Sequence, residues 1–238
     1  MASQLGYATG ALFSALTTPF LVLLSPITNA TRLAGILPAL HAFVPYGFHA
    51  SEIPDLKGKT YVVTGANSGL GLGTTILLAN AGATVIMGCR SRARAEAAKK
   101  SILAEHSRIK PEQLVLIDLD NASLKSVKQF CREVYKLNLP HLDGLDLNAG
   151  GARAHFGMTE DGVEEMFAVD HLAHFALTNE LLPLLQKAPK AAVVGVSSLA
   201  HFMSYPWGVG LDEATINDKS KFTTWGAYGA PSLGSGWD

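Results

Sequence analysis

The sequence predicts an α/β protein built on a doubly wound parallel sheet, and three observations carry that prediction. Short β-rich runs alternate with helix-patterned stretches from Lys57 onward. The first strand and helix are joined by a glycine-rich turn, "TGANSGLG", at residues 64–71. The composition is that of a globular chain, 238 residues with 48% hydrophobic and 16% charged side chains, enough for one ordinary domain plus an extension. Alternation of this kind favours parallel strands with helices on both faces, and such sheets bind ligands at the carboxyl ends of their strands.

The first 50 residues stand apart. No charged side chain precedes Arg32. Residues 10–27, "GALFSALTTPFLVLLSPI", are apolar but interrupted by Pro19 and Pro26, and lie near the lower length limit for a membrane span. No Lys or Arg precedes them, so the basic start of a secretory signal is lacking. Three readings stay open: a membrane anchor, a hydrophobic arm packed on the domain, or a cleaved targeting segment. Residues 38–54 read as a connector, so the domain organisation is an apolar extension over residues 1–50 and a nucleotide-binding domain over residues 51–238.

From there each element follows in turn. Residues 60–63, Thr-Tyr-Val-Val, form the first strand, and residues 70–81 the first helix, with Leu72, Ile76, Leu77 and Leu78 near helical spacing. Gly65, Gly69 and Gly71 between them permit a tight turn and let backbone N–H groups approach a phosphate at the helix N-terminus. Residues 84–89 are the second strand, and residues 92–105 an Ala- and Lys-rich helix that ends before Pro111. Residues 114–119 are the third strand. Residues 123–137 are a helix with Val127 and Phe130 on one side. Residues 142–147 are the fourth strand, 161–185 a long helix and 191–197 the fifth strand.

Composition excludes several classes of partner. The net charge is -1, which gives no nucleic-acid surface. Two cysteines, Cys89 and Cys131, form no disulfide framework and point to a reducing compartment. His171 and His174 lie three apart on a helix, but no third ligand accompanies them, so no metal site is expected.

The ordered strings "TGANSGLG", "GCRS", "IDLD", "LNAG", "DGVEEMFAVDHLAHFALTNELLPLL", "VSSLAH" and "AYGAPSL" resemble the short-chain dehydrogenase/reductase family, in its retinol-dehydrogenase-like branch, from about Leu56 to Leu233. The resemblance implies a Rossmann-type sheet and a nicotinamide cofactor cradled by Gly65, Asn67, Ser68, Gly69, Leu70 and Gly71. It implies that Asp118 and Leu119 line the adenine, and that Asn148, Ala149 and Gly150 close over the adenosine side. The family has two asparagines before that alanine; Leu147 replaces one of them. NAD-binding relatives hold the ribose 2′-hydroxyl with an acid after strand two. Here the sequence is Gly88-Cys89-Arg90-Ser91-Arg92, without an acid. Arg90 suits a 2′-phosphate, which favours NADP over NAD; the alternative is that Arg90, Arg92 and Arg94 form only a solvated helix start.

The family's catalytic groups are Asn, Ser, Tyr and Lys. Ser198 and Tyr228 match the serine and tyrosine, 30 residues apart, and Asp170 stands at the asparagine. An ionised aspartate accepts hydrogen bonds but donates none. The lysine is absent: Ser232 lies four residues after Tyr228, and Pro231 precedes it. A tyrosine without help titrates near 10, so alcohol oxidation suffers more than carbonyl reduction. Trp207 and Trp225 either line an apolar substrate pocket or pack their own loop. The chain stops at Asp238, short of the family's last strands, which leaves strand five beside an uncovered edge and suggests a truncated product.

Three functions follow from the resemblance. The leading one is an NADP-dependent oxidoreductase acting on a small apolar alcohol or carbonyl compound. The others are a catalytically inactive nucleotide-binding protein and a fragment. The location is expected to be membrane-associated, on the endoplasmic reticulum or another organelle, or cytoplasmic, and the oligomeric state is not legible.

Overall fold

The structure, a computed structural model, describes residues 49–198 and 213–234, all of which but His49 fall in one unit, Ala50–Asp238. The candidate anchor at residues 10–27 and Trp207 lie outside the described residues. Among the described residues no helix is long and apolar enough to cross a membrane.

Five parallel strands form one sheet in the order β3-β2-β1-β4-β5: β1 Thr60–Thr64, β2 Thr84–Cys89, β3 Leu114–Asp118, β4 Gly144–Leu147 and β5 Ala192–Gly195. Between them run α1 (Gly69–Asn80), α2 (Arg92–Glu105) and α3 (Leu124–Lys136). The crossover from β4 to β5 is compound: a short turn α4 (Glu165–Phe167), a π-helical segment (Ala168–Leu172), then α5 (Ala173–Leu185). Beyond β5 come α6 (Glu213–Ile216) and α7 (Thr224–Gly234).

Strand side chains alternate between the two sheet faces, and each face has its own core. Val62, Ile86, Leu145 and Leu147 pack with Val127, Phe130 and Val134 of α3 and with Leu177, Leu181 and Leu184 of α5. On the other face Val63, Val85 and Met87 pack with Ala79 of α1 and with Ala95 and Ile102 of α2. Burying side chains of this size contributes about 1.5–3 kcal/mol each. Helices on both faces of a parallel sheet are the doubly wound, Rossmann-type architecture, as the alternation predicts.

The helix starts carry identifiable caps. Ser91 accepts from Arg94 N, and Ser123 accepts from Ser126 N, which satisfies donors that the helices leave unpaired. The long helix expected from residue 161 begins instead at Glu165. Gly162 has φ +76°, and the Thr159–Val163 turn closes there on its own hydrogen bonds. The buried Glu164 carboxylate then caps the new start, accepting from Met166 N and Phe167 N.

Candidate functional site

The site is built where the strand ends meet the glycine turn. Gly65 (φ +66°) and Gly69 (φ +54°) hold backbone conformations that L side chains rarely adopt. Gly71 has a different reason to be glycine: a Cβ there would lie 2.4 Å from Asn148 Nδ2 and 2.6 Å from Gly65 O. Ser68 takes the cap position of α1 in extended backbone but makes no side-chain cap bond, so its hydroxyl is not spent on the helix.

Thr64 locks this turn to β4. Its hydroxyl accepts from Asn148 N and Ala149 N, both at 2.9 Å, and donates to Asp146 O at 3.3 Å. Asn148 Nδ2 donates to Thr64 O at 2.9 Å. Asn148 is thus a brace between strands. Leu147, in place of the second asparagine, is 2% exposed in the core, and Thr64 supplies the polar support at this junction.

Two adjoining cavities open across these strand ends, sharing Gly65, Ser68, Ala149, Gly150 and Gly151. The smaller, about 190 Å³, is lined among others by Asn67, Arg90, Arg94, Leu119, Asp120 and Arg153. Arg90 is exposed at the end of β2, and Arg94 lies one helical turn further on. Arg92 is occupied elsewhere, with Glu96 at 3.0 Å, Leu116 O at 3.1 Å and Asp118 at 3.6 Å. Asp118 is therefore 69% exposed against Arg92 and is not among the lining residues, whereas Leu119 is. Asp120, which does line the cavity, already accepts from Ala122 N.

The larger cavity, about 460 Å³, brings together Ser198, Tyr228, Asp170, His171 and His174 with Gly69 and Leu70 of the turn. The segment leading into the helix that carries Tyr228 is tied to the loop before α4. Asn217 accepts from Glu164 N and donates to Gly162 O, each at 2.9 Å, and Phe222 packs edge-on to Phe156 at 5.6 Å. Trp225 is 55% exposed and stands edge-on to the Tyr228 ring, 6.4 Å between centroids; it is not a lining residue.

Asp170 is the electrostatic oddity of this cavity. Its Oδ1 accepts from Gly151 N at 3.1 Å, while Oδ2 is buried without a hydrogen-bond partner. Burial pushes the carboxyl up to about 7, against the opposing pull of the Gly151 N–H and the Arg153 charge. Burial pulls His174 down to about 4, so its imidazole stays neutral at physiological pH, and its Nε2 is buried and unpartnered. Burial also lowers His171. Arg153 lies 2.9 Å from Glu165, an ion pair without the alignment of a hydrogen bond.

Sequence reasoning missed Arg94, Asp120, Gly151, Arg153 and the two histidines as lining residues. Arg94 was legible, being one turn beyond Arg90; Arg153 sits in a loop with no periodicity to read. Among the described residues no group of three or more His, Cys, Asp or Glu is placed to hold a metal. Cys89 and Cys131 are buried thiols that burial pushes up to about 11 and about 12.

Comparison with known proteins places this geometry. The model of the short chain dehydrogenase family matches residues 59–210, a span that includes Ser198 and ends before Tyr228. Retinol dehydrogenase 14 of Mus musculus is 47% identical over 150 residues, which cover 60% of this chain and 45% of that protein. Retinol dehydrogenase 13 of Homo sapiens is 35% identical over 205 residues, 86% of this chain and 59% of that protein. The chain thus spans about half the length of the curated relatives it matches. Among solved structures, an uncharacterised protein from Mycobacterium paratuberculosis is 35% identical with a TM-score of 0.64, over 79% of this chain and 62% of that one. A short chain dehydrogenase from Escherichia coli CFT073, solved in complex with NADPH, shares the fold at 24% identity and a TM-score of 0.55, over 75% of this chain and 68% of its own.

Proposed function

Since the chain belongs to the short-chain dehydrogenase family, we propose that it is an NADP-dependent oxidoreductase interconverting an apolar alcohol and its carbonyl compound. One observation carries the reading: at the strand ends an arginine-lined cavity shares Gly65, Ser68, Ala149, Gly150 and Gly151 with a second cavity lined by Ser198 and Tyr228. The residues fit the cofactor. Nothing lies within 4 Å of where a Cβ on Gly69 would be, so the turn is open on that side for a phosphate, and α1 directs its N-terminus there.

Arg90 and Arg94 support NADP over NAD, because two guanidinium groups face the cavity at the end of β2 and no acid stands in that stretch. The substrate class rests on the names of the relatives, retinol being an apolar alcohol. When bound, the nicotinamide supplies or accepts the hydride. The protein's own part is to hold and move a proton. Tyr228 exchanges it with the substrate oxygen, and the Ser198 hydroxyl orients that oxygen. Asp170 near neutrality is a mixture of carboxylate and carboxylic acid, and the acid form donates as an asparagine would.

A second reading, a nucleotide-binding protein without turnover, is favoured by Ser232 at the lysine position and by a larger cavity that, among the described residues, no Lys or Arg lines. Fluorescence titration with NADPH and NADH tests the binding reading. Tighter binding of NADPH, reduced to the NADH level in Arg90→Ala, is expected. Equal affinities in the unaltered protein would remove the preference.

A further inference from the structure

The larger cavity is lined by two imidazoles and, among the described residues, by no ammonium or guanidinium group. The two rings are not equivalent. His174 belongs to α5, is 8% exposed and is held neutral by burial. His171 is half-buried in the π-helical segment, which packs directly against the helix carrying Tyr228. The i→i+5 turn of that segment holds Asp170 and His171, neighbours in sequence, on one wall of the cavity, and inserted turns of this kind are frequent at functional sites.

We propose that His171 is the proton partner of Tyr228, taking the part that the chain leaves vacant by carrying Ser232 one turn beyond the tyrosine. The proposal rests on the oxidoreductase reading above. In the oxidative direction the substrate O–H proton passes to the Tyr228 oxygen as the Tyr228 proton passes to an unprotonated ring nitrogen of His171. Two O–H bonds break, one O–H and one N–H bond form, and the imidazolium then loses its proton to solvent. In the reductive direction the same ring, protonated, resupplies Tyr228. His171 acts through Tyr228 and not on the substrate.

The surroundings favour the neutral ring. Burial keeps His171 below its ordinary range, so it is a base at pH 7. The titratable groups that line the cavity with His171 are Asp170 and His174 on the same crossover and Tyr228 on α7; outside the lining, Glu164 at the start of the crossover and Arg153 on the loop before it, paired with Glu165, act on Asp170. Oxidation is then expected to rise with pH through the His171 transition and reduction to fall.

The test uses the full chain with His171→Ala, His171→Gln and Tyr228→Phe. Without cofactor, the ring-nitrogen resonances of His171 are followed against pH by NMR; their midpoint is expected to move in Tyr228→Phe. With NADP and an apolar alcohol, kcat is expected to fall about 100-fold in both histidine variants. KM and the NADPH affinity, which also report correct folding, are expected to stay within about twofold, and added imidazole to restore part of the rate in His171→Ala only. Turnover that is abolished by Tyr228→Phe but unchanged in both histidine variants would overturn the proposal and leave the oxidoreductase reading standing. So would a rate loss with no imidazole rescue and no NMR coupling, which marks a packing role. No turnover by the unaltered chain would overturn both.

Discussion

Asp170 occupies a position where a neutral and an ionised carboxyl do opposite things. Neutral, it keeps its bond from Gly151 N and offers a donor at Oδ2; ionised, it leaves a buried charge at Oδ2 without a partner. Its folded-state value of about 7 lies above the ordinary 3.8, so the folded protein holds this proton more tightly than the unfolded chain. Stability from this group is therefore full below pH 3.8 and is lost as pH rises through 7, a loss of at most about 4 kcal/mol. Asp170→Asn keeps the acceptor and removes the titration. Melts of the two proteins should coincide near pH 4, and the asparagine variant should be the more stable at pH 8. His174, lowered to about 4, adds a loss on the acid side between pH 6.5 and 4 in both proteins and cancels from the comparison. A gap that widens towards acid would contradict the assignment.

At the scale of elements, the end of β2 with the start of α2 is a separable recognition unit. Arg90→Ala and Arg94→Ala are each expected to weaken NADPH binding about tenfold and to leave NADH within about twofold, read by titration at fixed salt. Arg92→Ala should change neither, because Arg92 is engaged with Glu96 and Asp118. The core makes a different demand. Phe130, fully buried between α3 and the sheet, is expected to cost about 3–5 kcal/mol when cut to alanine, measured by denaturant unfolding. β5 is exposed along its length, with Val194 54% exposed over a hollow that Tyr61, Leu77 and Leu78 also line. Val194→Lys should therefore lower the binding of an apolar dye.

Much of this scale was legible in the sequence. Strand and helix positions follow from apolar periodicity, and α2 spans residues 92–105 as the pattern predicts. The π-helical segment was not legible, because its residues carry the same periodicity as a continuous α-helix. The start at Glu165 was hidden for a related reason: Gly162 and the Thr159 hydroxyl make a local turn that outcompetes helix extension. Gly65 and Gly69 could be read as turn glycines, but the clash that excludes a side chain at Gly71 comes from Asn148, 77 positions away in the sequence and adjacent only in the fold.

We propose that residues 10–27 anchor the protein to a membrane, on the strength of an apolar stretch free of charge up to Arg32. Membrane fractions should then retain the protein through an alkaline carbonate wash, and deletion of residues 1–50 should release it. Release of the full-length chain would leave a packed arm or a targeting segment in its place.

The central claim is that one cleft both binds NADP(H) and moves a proton through Tyr228. The direct measurement is NADPH oxidation by the unmodified 238-residue chain with an apolar aldehyde, beside Tyr228→Phe and Ser198→Ala at matched NADPH occupancy. The account predicts measurable reduction by the unmodified chain, a fall of about 100-fold or more in Tyr228→Phe, and NADPH affinity unchanged in both variants. NADPH binding with no turnover, or turnover indifferent to Tyr228→Phe, would contradict it.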